Sequence, residues 1–150
     1  MAEATPHEYV TPYIFEVEGG GISVLHFSRV TGLGGEIGVK EWRQVNDPGT
    51  PIKLPTEMVF DDITLERGVD TDGTLAKWWT EVADSVASGA SSFQRYSLIV
   101  TAYGRNRNIQ ARWQVSGAWP RKVKWGDLDA STSGMFIESL VIASEGVKRL

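Results

Sequence analysis

Apolar residues recur at every second position over most of this chain, in segments rich in aromatic and β-branched types, and that pattern predicts strands. Tyr13, Phe15 and Val17 alternate with Ile14, Glu16 and Glu18, and Gly19-Gly20-Gly21 supplies a turn into Ile22 to Val30, so an N-terminal hairpin is expected. Glu36 to Val45 reads as another strand. The breaker cluster Asn46-Asp47-Pro48-Gly49-Thr50-Pro51 cannot continue a ladder, and an extended loop is expected to about Pro55. Strand character resumes from Phe60 to Arg67, with Ile63 and Leu65 on one face, and ends at Gly68.

Between about Gly73 and Ser88 the period changes to that of a helix, with Leu75, Trp78, Trp79, Val82 and Val86 along one stripe that has to be buried. Asp72 or Thr74 is the expected N-cap, and Gly89 stands where a left-handed residue closes a helix. Alternation then returns. Tyr96, Leu98, Val100 and Ala102 form one strand face, Gly104 to Asn108 a polar turn, and Ile109, Ala111, Trp113 and Val115 the apolar face of the next strand. A meander continues through Val123 and Trp125, turns between about Gly126 and Ser133, and finishes with Phe136 to Ala143. The expected fold is mainly β: two packed antiparallel sheets, a sandwich or barrel, with one flanking helix at about 73–88. No repeat or linker divides the chain, and its 150 residues suit a single domain.

Composition narrows the chemistry. With no cysteine, disulfides, thiolate nucleophiles and Cys-type metal sites are excluded. The start of the chain has neither the basic nor the apolar part of a secretory signal, and no apolar run approaches the ~20 residues of a membrane span, so synthesis and assembly in the cytoplasm are expected, without membrane insertion. A net charge of -4 argues against stable nucleic-acid binding. The charge is uneven, however. Eight acids lie between Glu57 and Asp84 against Arg67 and Lys77, whereas Ser85 to Gly126 has no acid and carries Arg95, Arg105, Arg107, Arg112, Arg121, Lys122 and Lys124. Two solvated faces pairing within one molecule and two complementary faces meeting between copies both fit that distribution.

Motifs for catalysis are absent from the pattern. Two histidines, His7 and His26, make no metal pair, and His26 reads as a half-buried strand residue. There is no nucleophile-elbow G-x-S-x-G, no G-x-G-x-x-G and no Walker-type loop, while Asp70-Thr71-Asp72-Gly73 fits a helix-entry turn better than a calcium loop. No cofactor and no enzyme activity are expected. Six tryptophans could line a sugar-binding face, which makes a carbohydrate-binding β-sandwich module an alternative of another class. Trp78, Trp79 and Trp113, being in or beside apolar stripes, fit core or subunit interface instead.

Several blocks taken in order carry a more specific likeness. Val30-Thr31-Gly32-Leu33, Glu36, and Glu41-Trp42-Arg43 are followed by Lys53-Leu54-Pro55, by Leu65, Arg67 and Gly68, and by the helix with Trp78. Trp119-Pro120, Asp129-Ala130 and Glu138 lie in the closing segments. This series resembles the tube-protein family of contractile phage tails and phage-tail-like extracellular injection systems, from about Tyr13 to Leu150. The sequence departs from the family pattern at Thr56 and at Val45-Asn46, where the family commonly has glycine.

The resemblance implies a structural subunit of the inner tube of a contractile injection machine. Copies would form stacked hexameric rings with a central lumen for cargo, tape-measure protein or DNA, inside a contractile sheath. Further implied partners are baseplate and tube-initiator proteins and a tail terminator or cap; the location would be a virion tail or an injection particle. A baseplate adaptor or tube initiator with the same fold is the structural alternative. By position, Gln44, Val45, Asn46, Asp47, Pro48, Gly49, Thr50, Pro51, Ile52, Lys53, Leu54 and Pro55 would contact neighbouring subunits, and Met1 to Pro12 would take part in stacking.

Overall fold

The computed structural model describes residues 9–150 apart from Gly21, Asp47, Asp70, Ala90, Ser91, Thr132, Ser133, Met135 and the side chain of Ser23. The elements follow as β1 (Ile14–Gly19), β2 (Ile22–Phe27), β3 (Arg29–Thr31), β4 (Gly35–Trp42), β5 (Ile52–Phe60), β6 (Ile63–Gly68), α1 (Thr74–Ala87), β7 (Tyr96–Tyr103), β8 (Ile109–Trp125), β9 (Ile137–Ala143) and β10 (Gly146–Arg149). The ladders among the described residues are antiparallel.

Two sheets enclose the core because β8 belongs to both. Its first half pairs with β7 on one side and β10 on the other, and its second half pairs with β9, which leads on to β6 and β3. At the opposite side the hairpin β1–β2 runs on from β7, and Ser28, between β2 and β3, donates its backbone N–H to Glu66 O at 2.9 Å. The strand that leaves one sheet therefore enters the other, and the sandwich closes into a flattened barrel. Val17, Leu25, Leu98, Val100 and Val115 face Ile63, Leu65, Leu140 and Ile142 across one continuous apolar core.

β8 turns its corner by changing which residues point inward. Ala111 and Val115 are buried in the first half, but Ala118 and Pro120 in the second, and Gly117 between them has φ 61°. An extra residue of this kind shifts the phase and bends the strand. Simple alternation therefore describes only part of it, and Ile109, expected on the inner face, is 55% exposed beyond a register shift at Ala102/Tyr103. Pro120 is tolerated because this half of β8 pairs with β9 alone, leaving the other edge without a ladder to break.

Helix α1 packs over β8 with Leu75, Trp78 and Val82 buried, and the Trp78 ring lies 5.9 Å from that of Tyr96. Two expectations need correction. The N-cap is Gly73, in a left-handed conformation that glycine adopts without a Cβ penalty, rather than Asp72 or Thr74. Val86 is 61% exposed, so the buried stripe ends a turn early, before the left-handed Gly89 closes the helix. β10 is a further edge strand beyond Ala143, where the alternation reading stopped.

The largest departure lies between residues 51 and 60. Ile52–Phe60, expected to be loop as far as Pro55, is a strand paired along its length with β4 in a separate two-stranded sheet. Pro55, which argued against a strand, is opposite Val39 on a strand with only one neighbour, where a missing N–H is harmless.

Gly32, at the exit of β3, has φ 86°, and a Cβ there would run into the backbone carbonyl of Asp62. Gly32→Ala is expected to lower stability by about 1–3 kcal/mol through backbone strain alone. Equilibrium denaturation measures this, and an unchanged midpoint would show that the turn is free to relax.

Candidate assembly surfaces

The β4–β5 hairpin is an arm outside the closed barrel. Among its residues only Gly38 and Phe60 are half-buried, and the rest are exposed. Yet it is not a polar ribbon. Ile37, Val39, Trp42, Ile52, Leu54, Met58 and Val59 are each between 44% and 60% exposed. An isolated two-stranded hairpin is marginal in water, and large exposed apolar side chains are a common feature of interaction sites. Both outer edges of the ribbon also lack a strand partner among the described residues.

Register assigns each side chain to a face. Ile37 opposes Met58, and Val39 opposes Pro55, with Glu41 and Lys53 farther along the same face. Trp42 opposes Ile52, Lys40 opposes Leu54 and Glu36 opposes Val59 on the other. Between them the register slips at Gly38, where a side chain would collide with Thr56 Oγ1. This bulge twists the ribbon, and glycine at 38 allows the close approach.

The expected contact residues divide here. Gln44, Val45, Asn46, Pro48, Gly49, Thr50 and Pro51 form the connection at the tip, with Val45 86% exposed and Asn46 at φ 68°; Asp47 lies outside the described residues. Ile52, Lys53, Leu54 and Pro55 are strand residues of the arm rather than loop. The N-terminal segment, expected to take part in stacking, is described only from Tyr9, and Thr11 donates its backbone N–H to Gln110 Oε1 at 2.8 Å, which ties the segment to the start of β8. The breaker cluster hid the first half of β5, Ile52 to Pro55, and the apolar residues Ile37, Val39 and Trp42 opposite it drew no notice. The signal was available in the alternation of Ile52, Leu54 and Lys53, which Pro55 masked.

The motif residues separate into interior and surface groups. Leu65 and Trp78 are core, Leu33 packs against the core, and Trp119 packs on Phe93 with ring centroids 5.3 Å apart. Glu36, Glu41 and Arg43 lie on or just beyond β4 and are exposed, as are Asp129 and Ala130. Asp129 accepts from the backbone N–H and the hydroxyl of Ser131 at 2.9 and 2.6 Å, and these bonds hold its carboxyl below the usual carboxylate range.

Arg67 and Glu138 form a polar knot at the end of the barrel where Gly68 opposes Ile137. Arg67 Nε is 3.8 Å from Glu138 Oε1 and donates to Gly68 O, while its guanidinium lies over the Phe27 ring. Trp125 donates its indole N–H to Glu138 Oε2 at 3.2 Å. Glu138 is only 3% exposed, so its charge depends on these partners. The knot joins β6, β8 and β9.

The open face of the sheet containing β1 carries Glu16 between His26 (3.4 Å) and the Tyr103 hydroxyl, which donates to it. Burial and then the Glu16 charge push the Tyr103 phenol above its ordinary value. His26 is exposed on this face rather than half-buried. Some of the charge asymmetry is consumed internally: Arg121 pairs with Asp62, Arg29 with Glu66 and Arg95 with Glu145. Among the described residues no group of three His, Cys, Asp or Glu side chains is placed to hold a metal. Trp78 is buried and Trp113 and Trp119 pack against the core, an arrangement that disfavours a sugar platform.

The family model of the T4-like virus tail tube protein gp19 matches residues 11–148. The chain belongs to this family. Similar folds occur in a chain of an extracellular contractile injection system, the PVC sheath–tube complex in its extended state (20% identity, TM-score 0.79, covering 95% of this chain and 91% of that one). A chain in the tube-terminating cap of the anti-feeding prophage is 17% identical with TM-score 0.82, covering 99% and 95%. Hcp1 from Flavobacterium johnsoniae is 16% identical with TM-score 0.54, covering 91% and 94%. Comparison with curated proteins gives no match. The tail-tube fold expected from the spaced sequence blocks is thus the fold observed.

Arg67→Met leaves the Glu138 carboxylate buried without its cation and is expected to cost about 3–5 kcal/mol. Adding Glu138→Leu should recover part of that loss. Urea denaturation of the two single variants and the double variant measures the coupling, and strictly additive losses would mean the two side chains act independently.

Proposed function

We propose that this tail-tube family member is the inner-tube subunit of a contractile injection machine, working through its interfaces rather than through catalysis. Copies close into hexameric rings, and the rings stack into a hollow tube within a contractile sheath. The observation that carries this reading is the β4–β5 arm: it exposes apolar side chains that its own barrel does not cover, and a neighbouring copy supplies the cover. Ring closure also gives exposed strand edges a partner, as closed assemblies do.

The other partners follow from that role. Sheath protein surrounds the tube, a baseplate and tube initiator nucleate it, and a terminator or cap ends it. The lumen passes cargo, tape-measure protein or DNA without retaining it. A lining that is acidic or neutral suits nucleic-acid passage, because clustered Lys and Arg would hold phosphates in place. Residues 1–150 act as one tail-tube domain, made and assembled in the bacterial cytoplasm, in a virion tail or an injection particle. A baseplate adaptor or initiator is a second reading, favoured by a 21% identical likeness, with TM-score 0.73, to a chain of the anti-feeding prophage baseplate structure.

Negative-stain electron microscopy of the concentrated protein is expected to show hollow rings and stacked tubes. Single rings that never stack would favour the adaptor, and monomers with measurable glycan affinity would overturn both assembly readings. Deleting Asn46 to Thr50, at the tip of the arm, is expected to leave a folded protein that no longer forms long tubes. Circular dichroism and tube lengths test this together, and normal lengths in the deletion would remove the tip from the assembly contact.

A further inference from the structure

We propose that the β7–β8 turn and the N-terminal segment beside it form a binding site for a short carboxylate-rich peptide of another protein, held by Arg105, Arg107 and Arg149. This site is separate from the β4–β5 arm. The observation that points to it is the charge asymmetry of the chain, which internal pairing absorbs only in part. Of the basic residues in the acid-free stretch from Ser85 to Gly126, Arg95 and Arg121 pair with Glu145 and Asp62. Arg105 and Arg107 have no carboxylate partner among the described residues, and neither has Arg149.

Two hollows adjoin at the turn and share Asn108 and Gln110 on their walls. One of 220 Å³ is also bordered by Tyr9 and Arg149, and the other, of 500 Å³, by Tyr13, Arg105 and Asn106. Among the described residues no acid lines either of them. Two backbone bonds of 3.0 Å hold the turn in shape, from Gly104 N–H to Asn108 O and from Arg107 N–H to Gly104 O. Gln110 spends its Oε1 on the Thr11 N–H, and its Nε2 lies beside Gly104 as a donor. Guanidinium forks with a side-chain amide and phenol hydroxyls nearby make a donor set suited to carboxylates. Arg107 supplies a second, independent sign. Its φ is 58°, a left-handed conformation that is costly for a side chain with a Cβ and easier for glycine or asparagine. Arg107 is exposed, so packing does not require it there, and backbone strain of this sort collects at functional sites.

The extent of the basic zone selects the kind of anion. A nucleic acid needs a basic track that neutralises successive phosphates. Here the zone is short, because Glu16 and Glu18 on β1, the strand paired with β7, close it off on one side. Arg107 also borders the hollow of 470 Å³ in which Glu16 is held by His26 and Tyr103. A peptide with a few carboxylates fits between the arginines without reaching those acids, and the net charge of -4 repels a longer polyanion. Several acids of the chain itself are already spent, Asp62 on Arg121, Glu66 on Arg29 and Glu145 on Arg95, which favours a partner of different sequence.

Fluorescence anisotropy of a labelled oligo-glutamate peptide with the dispersed full chain tests this. Binding is expected that weakens as salt is raised, and that is about tenfold weaker in Arg105→Gln and in Arg107→Gln, the worth of one charge-assisted contact. Lys77→Gln, which removes an exposed cation on α1, should leave it unchanged. Arg107→Gly separates binding from stability: it should weaken the peptide as glutamine does without lowering the urea midpoint, because glycine accepts the left-handed backbone. No binding, equal binding in every variant, or a lower midpoint in Arg107→Gly would overturn the proposal. A labelled single-stranded oligonucleotide that binds more tightly than the peptide would replace the peptide with a nucleic acid. If the peptide does not bind but light scattering shows copies associating in the native chain and not in Arg105→Gln, the occupant is a second copy and the proposal falls.

Discussion

Seventeen residues of β8 serve two sheets at once, and they do so only by changing which alternate positions point inward. A strand with one fixed phase would present Ala118 and Pro120 to solvent after Ala111 and Val115 had been buried. The left-handed backbone at Gly117 shifts that phase within a single step, and the core can then run without a break from Val115 to Leu140. The helix, which packs over β8, and the pairing of β9 and β10 with its two halves all depend on this corner.

Closing the barrel has a consequence for the rest of the surface. Strands β1, β7, β9 and β6 each have partners on both sides, so their backbone groups are spent internally. The arm is the part of the chain that the closure leaves out. Its β4–β5 ladder satisfies only the inward-facing backbone groups, and its apolar side chains have no core to enter. A fold that is self-sufficient in the barrel and incomplete in the arm is suited to a subunit whose neighbours complete it.

The family blocks acquire different physical meanings on this structure. Gly32 is needed because a side chain would meet the Asp62 carbonyl, and Arg67 and Glu138 because each neutralises the other where water is excluded. These residues keep the barrel in register. Glu36, Glu41 and Arg43 instead accompany the arm, on solvent-facing positions where they leave the barrel core untouched. The same series of motifs therefore runs through both the container for the core and the arm outside it.

Much of this was legible in the chain itself. Period-two alternation marked β1, β2, β6, β7 and β9, and the helical stripe of Leu75, Trp78 and Val82 marked α1, because burial on one face imposes a repeat that needs no tertiary information. The absence of cysteine and of catalytic motifs was equally plain, and the ordered blocks from Val30 to Glu138 pointed to the family. Local pattern failed where the environment overrides local preference: Pro55 lies within a strand that has one neighbour, and Val86 is exposed although it continues the helical stripe. Only the tertiary structure decided that β8 changes phase at Gly117, that Arg67 and Glu138 meet, and that Ile37, Trp42, Leu54 and Met58 lie on opposite faces of an uncovered arm. Those facts are pairings between distant segments and a register between two strands, and a linear pattern holds neither.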